Sequence, residues 1–250
     1  LSLLRFVWRA WWMSLWVLGG LLTLSLVFPW LSQQARLAVK RFWARVLIRL
    51  CGIKLSVSGH PPEPGPVLWV ANHVSWLDIF VLNHVRSTTF IAKHEIRHWP
   101  VLGWLVAGAD TIFIERGVRH AVHRVGLAME NRFEEGQAVG LFPEGTTSTG
   151  FDVLPFYANL YEPARRMAVP IQPIALLYSH RGQRSDFASF VGEESLMQNL
   201  WRVLGTTGVS IEMVFLPVMA GNTLGQHKRN ELASLTRQDI RSVLLRSPGA

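Results

Sequence analysis

Two residues in the stretch Asn72-His-Val-Ser-Trp-Leu-Asp78 have the types and spacing for acid–base chemistry, His73 and Asp78. A carboxylate that accepts one imidazole N–H fixes the ring's tautomer and stabilises the cation formed when the other nitrogen takes a proton. On a continuous helix, residues five apart are separated by roughly 140° around the axis, so the segment must turn. His73 then lies in the turn and Asp78 in the first turn of a helix, with Ser75 as its N-cap. The chain carries no Gly-x-Ser-x-Gly elbow, so the proton would come from a substrate hydroxyl rather than from an enzyme serine. About seventy residues on, Phe142-Pro-Glu-Gly-Thr146 reads as a strand running into a tight turn. Its backbone N–H groups and the Thr146 hydroxyl are expected to converge on an anion, with Glu144 gripping a basic residue or a substrate hydroxyl.

Two other segments carry chemistry-bearing residues without the right context. His94-Glu-Ile-Arg-His98 matches a zinc signature, but a zincin needs both histidines on one face of a long helix and a third ligand. A strand-like Phe90-Ile-Ala-Lys93 precedes it, and Pro100 biases Trp99 away from helix, so a metalloprotease is set aside and no metal is expected. Cys51 is the single cysteine, which excludes an intrachain disulfide and a thiolate cluster. Next to Gly52 after an apolar run, it reads as a small buried hydrophobe.

The elements that must position these residues follow the Pro-rich link His60-Pro-Pro-Glu-Pro-Gly-Pro66. Short apolar runs bounded by turn signals predict strands at 67–70, 89–92, 111–114, 138–142, 171–178 and 210–216. Helical patterns are expected at 77–86, 119–135, 153–167 and 226–246. This alternation predicts a single α/β domain over 59–250 with a mixed, largely parallel central sheet flanked by helices, and in such sheets sites gather at strand ends.

Residues 1–58 read as a membrane-anchoring segment. All 17 acidic residues lie beyond residue 62, whereas eight of the 25 basic ones precede it, so the whole +8 belongs to this quarter. These cations flank an apolar stretch rather than spreading over a face with interleaved aromatics, which excludes a nucleic-acid partner and points to an anionic membrane surface. From Ala10 to Ala35 there is no charged residue, and Trp8, Trp11, Trp12 and Trp30 cluster near its ends, as at headgroup level. A cleaved leader fits less well, because no small-x-small site follows. Residues 36–50 place Leu37, Val39, Phe42, Trp43, Val46, Leu47 and Leu50 at helical spacing, with Lys40, Arg41, Arg45 and Arg49 opposite. They read as a basic interfacial helix or a helix packed on the domain. The heavier basic flank follows the apolar stretch, which predicts an inner-membrane protein with its domain in the cytoplasm.

The chain resembles the membrane-associated glycerolipid acyltransferases typified by the 1-acylglycerol-3-phosphate (lysophosphatidic acid) acyltransferases. Four blocks carry the resemblance over roughly residues 67–180. An Asn-His-x-Ser-x-x-Asp block is matched by Asn72, His73, Ser75 and Asp78, and Gly-x-Ile-Phe-Ile-x-Arg by Asp110-Thr-Ile-Phe-Ile-Glu-Arg116. Phe-Pro-Glu-Gly-Thr is complete at 142–146, and Val-Pro-Ile-x-Pro is Val169-Pro-Ile-Gln-Pro173. The resemblance implies transfer of a fatty acyl group from acyl-CoA or acyl carrier protein to a lysolipid hydroxyl, with His73 as general base, Asp78 orienting it, and no cofactor. It further implies that Arg116, Glu144, Gly145, Thr146 and Lys93 hold the acceptor's anionic head group. Two positions depart from the pattern. Thr147 stands where many members carry Arg, whose planar fork suits phosphate, and Asp110 stands where Gly is usual. The first keeps lyso-ornithine lipid as an alternative acceptor. A non-catalytic lipid-binding protein of the same fold is the alternative from another class.

Overall fold

The computed structural model describes residues 2–61, 64–115 and 119–246, without the side chain of Arg119. Its chain begins with helix α1 (Ser2–Leu22), a π turn at Thr23–Val27 and a 3-10 turn at Phe28–Trp30, then helix α2 (Gln33–Leu50). Pro29 sits in the 3-10 turn, and Ser32 caps α2 by accepting from Ala35 N–H. Strands and helices then alternate: β1 (Lys54–Ser58), β2 (Val67–Ala71), α3 (Leu77–Val85), β3 (Thr88–Lys93), α4 (Leu102–Gly108), β4 (Ile112–Ile114), α5 (Arg119–Glu134) and β5 (Ala138–Leu141). After these come α6 (Glu162–Arg166), β6 (Ile171–His180), β7 (Gln183–Arg184), α7 (Leu196–Gly205), β8 (Val209–Phe215) and α8 (Arg229–Arg246).

The strands form one sheet in the order β1-β8-β6-β2-β5-β3-β4, with β7 folded back on β6. Neighbours are parallel except β6 with β8 and with β7, so the mixed, largely parallel sheet read from the alternation is the one observed. β2 lies at its centre and every one of its residues is buried. Val67, Trp69 and Ala71 face a core built with α2, α3 and α7, while Leu68 and Val70 face a second core built with α5 and α8. A strand buried on both faces must be apolar throughout, which is why Val-Leu-Trp-Val-Ala carries no alternation.

Two expectations need correction, and one open alternative is decided. The helix predicted over 153–167 is a loop, a 3-10 turn at Ala158–Tyr161 and the short α6. Ser75 does not cap α3; Trp76 occupies that position without a side-chain bond. The basic face of α2 does not simply await lipid. Arg41 and Arg45 donate to His84 O at the end of α3 (3.4 and 3.1 Å), and Lys40 pairs with Asp110 at 3.1 Å. Ala44, Leu47 and Ile48 of α2 are buried, so this helix is packed on the domain. Also, β1 pairs with β8, so the sheet takes its edge strand from the N-terminal 58 residues.

α1 is docked as well. Arg5 donates to Gly205 O (3.1 Å), and Arg9 to Leu204 O and Thr206 O (3.2 and 2.6 Å), where α7 presents its last carbonyls. Phe6 packs on Trp201, and Trp16 on Trp43 and Phe80. The opposite side of α1 exposes Leu4, Val7, Trp8, Trp11, Leu18 and Leu22.

Candidate active site

His73 follows the last residue of β2 by two positions, at the carboxyl edge of the parallel strands. Asn72 between them extends the sheet with its side chain. Its amide donates to Leu176 O (3.0 Å) and accepts from Leu176 N–H (2.7 Å), mimicking one more peptide of the β2–β6 ladder. The turn that follows is organised around Asp78, which is fully buried. Its Oδ2 accepts from Val74 N–H (2.7 Å), Ser75 N–H (2.9 Å) and His73 Nδ1–H (2.8 Å). An ionised carboxylate only accepts, so Nδ1 carries the proton and Nε2 is the basic nitrogen of the ring. The His73 side chain keeps 20% of its surface accessible, enough for a hydroxyl to reach it.

A second set of contacts fixes the histidine from the other side. Glu144 is 3% exposed; its Oε1 accepts from His73 N–H (2.7 Å) and its Oε2 from Leu154 N–H (2.9 Å). Burial pushes the Glu144 carboxyl above the ordinary glutamate range, against the pull of those two N–H groups. The carbonyl of His73 accepts from Ser148 N–H (2.7 Å). The His73 ring stacks on Phe142 at 4.1 Å, and Phe142 stacks on Phe90 at 5.6 Å. Gly140 makes room for that stack, since a Cβ there would lie 2.4 Å from the Phe90 ring.

His73, Asp78 and Glu144 are therefore brought together, but Glu144 takes up the backbone N–H groups of His73 and Leu154 rather than the basic residue or substrate hydroxyl expected of it. Gly145 has φ +69 and donates to Phe142 O (3.0 Å), so its N–H closes the turn instead of facing an anion. Thr146 is exposed beside it. Lys93 ends β3, separated from β2 by β5, with its side chain exposed. Arg116 lies outside the described residues. Thr147 donates its hydroxyl to Phe190 O, and Phe190 N–H donates to Val74 O at 2.9 Å, so the segment around Phe190 is tied to the turn between His73 and Asp78.

Tyr178 is the site residue that pattern reading missed. It lies inside the apolar run of β6 and is 1% exposed, and its hydroxyl donates to Asp78 Oδ1 at 2.5 Å. The signal available was a polar atom within a strand buried along most of its length.

The His94–His98 segment forms a five-residue 3-10 helix, with the two Nε2 atoms 3.4 Å apart. Among the described residues, no three His, Cys, Asp or Glu side chains are grouped to hold a metal ion. Cys51 is 2% exposed, and burial pushes its thiol up to about 12, as fits a packing residue.

Comparison with known proteins places this geometry in context. A family model described as Acyltransferase matches residues 54–177. The chain is 34% identical over 239 residues to a lyso-ornithine lipid O-acyltransferase of Pseudomonas aeruginosa, covering 90% of each. It is 36% identical over 185 residues to a 1-acyl-sn-glycerol-3-phosphate acyltransferase of Neisseria gonorrhoeae, covering 74% of this chain and 71% of that one. In fold it is similar to the crystal structure of the 1-acyl-sn-glycerophosphate acyltransferase from Thermotoga maritima. That match has a TM-score of 0.72 at 20% identity and covers 97% of this chain and 94% of the other.

Proposed function

This chain belongs to the acyltransferase family, and from that premise we propose that it moves a fatty acyl group from acyl-CoA or acyl carrier protein to the hydroxyl of 1-acyl-sn-glycerol-3-phosphate, giving phosphatidic acid. The observation that carries the reading is the pairing of His73 Nδ1 with the buried Asp78 at 2.8 Å. With Nδ1–H held by Asp78, Nε2 takes the acceptor's hydroxyl proton as its oxygen attacks the thioester carbonyl carbon. The tetrahedral oxyanion collapses, the C–S bond breaks, and the imidazolium returns its proton to the leaving thiolate. General-base assistance contributes about 10²–10⁴-fold, so positioning and charge stabilisation carry the rest. Arg116, Lys93 and the exposed Thr146 are assigned to the anionic head group, whereas Glu144 is assigned to holding His73.

Exposed apolar side chains along α1 support membrane association. With Arg5, Arg9 and Trp16 on the domain, this helix beds its outer side in lipid while its inner side stays on the protein. The basic flank after the apolar stretch supports a domain on the cytoplasmic side of the inner membrane, where the thioester donors are made.

Lyso-ornithine lipid as acceptor is favoured by one feature. Thr147 stands where a guanidinium would suit a phosphate monoester, and its hydroxyl is turned to Phe190 O. A product assay offering both lysolipids side by side tests the assignment. Phosphatidic acid as the main product supports the first acceptor, ornithine lipid replaces it with the second, and no acyl transfer to either refutes both.

A further inference from the structure

Tyr178 completes the hydrogen-bond shell of Asp78, and we propose that it is a positioning residue for acyl transfer, acting on His73 through that carboxylate. The inference rests on the reading of His73 as the base. Asp78 Oδ2 is crowded by three donors, from His73, Val74 and Ser75. Oδ1 points the other way, into the core, where the Tyr178 hydroxyl meets it at 2.5 Å. Both residues are buried, Asp78 fully and Tyr178 to 1%. A carboxylate so placed stays oriented only if both oxygens are satisfied. Burial and the Asp78 charge raise the phenol well above its ordinary range, so it remains a donor.

Packing alone does not account for a tyrosine here. A phenylalanine would fill the same space among Trp69, Leu77, Val81 and Leu204, members of the same core. A buried tyrosine hydroxyl needs a partner, and this one meets Asp78, the carboxylate that holds His73 Nδ1. Its backbone is also held. Tyr178 O accepts from Ser185 N–H (3.1 Å) and Arg184 Nη1 (3.3 Å), and two residues earlier Leu176 is zipped to Asn72. The phenol and the catalytic histidine therefore ride on one frame, the β2–β6 pair. Without the hydroxyl, Oδ1 becomes a lone acceptor against apolar side chains. Rotation of the carboxylate to share its oxygens then loosens the bond that fixes the His73 tautomer.

The test is Tyr178→Phe, made in the native full-length chain and in an Asp78→Asn background, with acyl-CoA and whichever lysolipid the product assay identifies. A hydrogen bond to a charged group of this kind corresponds to roughly a tenfold to hundredfold effect. The expected result is a fall of that size in kcat, with KM for both substrates within about twofold. In the Asp78→Asn background the same change is expected to alter kcat by less than about twofold, because the path through the carboxylate is already cut. An unchanged kcat in the native background, or equal losses in both, overturns the proposal. Should Tyr178→Phe fail to fold, 3-fluorotyrosine at 178 keeps the shape and makes the phenol more acidic. A changed kcat in the native background alone then supports the proposal, and no change, or the same change in both, overturns it. Failure of the underlying reading looks different: His73→Ala would retain turnover.

Discussion

The N-terminal helices and the catalytic turn solve opposite problems with opposite charges. Along α1 and α2, the cations Arg5, Arg9, Arg41 and Arg45 donate to carbonyls at the carboxyl ends of α7 and α3. At the catalytic turn, the carboxylates of Asp78 and Glu144 accept from the N–H groups of His73, Val74, Ser75 and Leu154. In both places a charged side chain closes backbone groups that secondary structure leaves open. The surroundings differ. The arginines sit at a partly exposed seam, where water can replace them, whereas the two carboxylates are at 0% and 3% exposure, where it cannot. Loss of a cation should loosen a helix, and loss of a carboxylate should derange chemistry.

His73→Ala is expected to break the comparison most sharply. Acyl transfer should fall by about 10²–10⁴-fold or more, while vesicle association and the thermal midpoint stay near wild type. Asp78→Asn should approach the same loss, since a neutral amide neither stabilises the imidazolium nor fixes the tautomer of His73 as a carboxylate does. Retained turnover in either variant, measured with purified protein, would remove the assigned roles.

Glu144→Gln comes next. One of its two N–H partners must face an amide N–H₂ instead, and kcat is expected to drop by roughly tenfold, the size of one charged hydrogen bond. This variant also carries a pH signature. The folded Glu144 carboxyl lies above its unfolded value, so ionising it disfavours the fold. That cost is absent below the ordinary glutamate range and complete above the raised value. The thermal midpoint of the wild type, taken relative to Glu144→Gln, should therefore fall as pH rises through that window. A difference that is flat or rising with pH contradicts the assignment.

At the cation side, Arg5→Ala with Arg9→Ala is expected to destabilise by about 1–3 kcal/mol, the scale of a few partly exposed hydrogen bonds. Protease cleavage between α1 and α2 should quicken, and kcat on detergent-dispersed substrate should change by less than about threefold. A tenfold fall in kcat would show that α1 shapes the site itself. The smallest effect is expected from Asp110→Gly. Asp110 has φ +62, a conformation glycine adopts freely, so only its pairings with Lys40 and Arg132 are lost, while Lys40 keeps Ala109 O, at about 0.5–1 kcal/mol. Asp110→Val, β-branched in the left-handed region, should cost clearly more; equal midpoints for the two variants would remove the strain argument.

Asp110 also illustrates what the sequence could carry. At a position where the resembled pattern carries glycine, the chain makes a left-handed turn with a residue that tolerates it and pairs it with Lys40 of α2. The substitution was visible; the φ angle and the partner seventy residues away were not. Buried strands such as β2 were legible because burial on both faces leaves an uninterrupted apolar run. β1 escaped notice because, as an edge strand with a largely exposed pattern, it reads Lys-Leu-Ser-Val-Ser. α7 carried a readable start, the capping box of Ser195 with Gln198, and was missed although it is longer than α3. In the site, five-residue spacing required a turn, so the His73–Asp78 contact was foreseeable. Glu144 lies beside His73 with partners other than those expected of it, because they are main-chain N–H groups that no side-chain pattern announces. Tyr178 was silent for a related reason: which atom of a strand faces a carboxylate depends on sheet order, and that is fixed by pairings one hundred residues apart.

The bonds from Arg5 and Arg9 to the end of α7 span 195 to 200 residues of chain. During synthesis, at about 5–20 residues per second, their partners emerge roughly ten to forty seconds after the arginines themselves. Through that interval α1 can meet Trp43 and Phe80, but its seat on α7 has not been made. If α1 associates with lipid as proposed, it can do so before that seat exists, and the domain then closes onto a helix already in place.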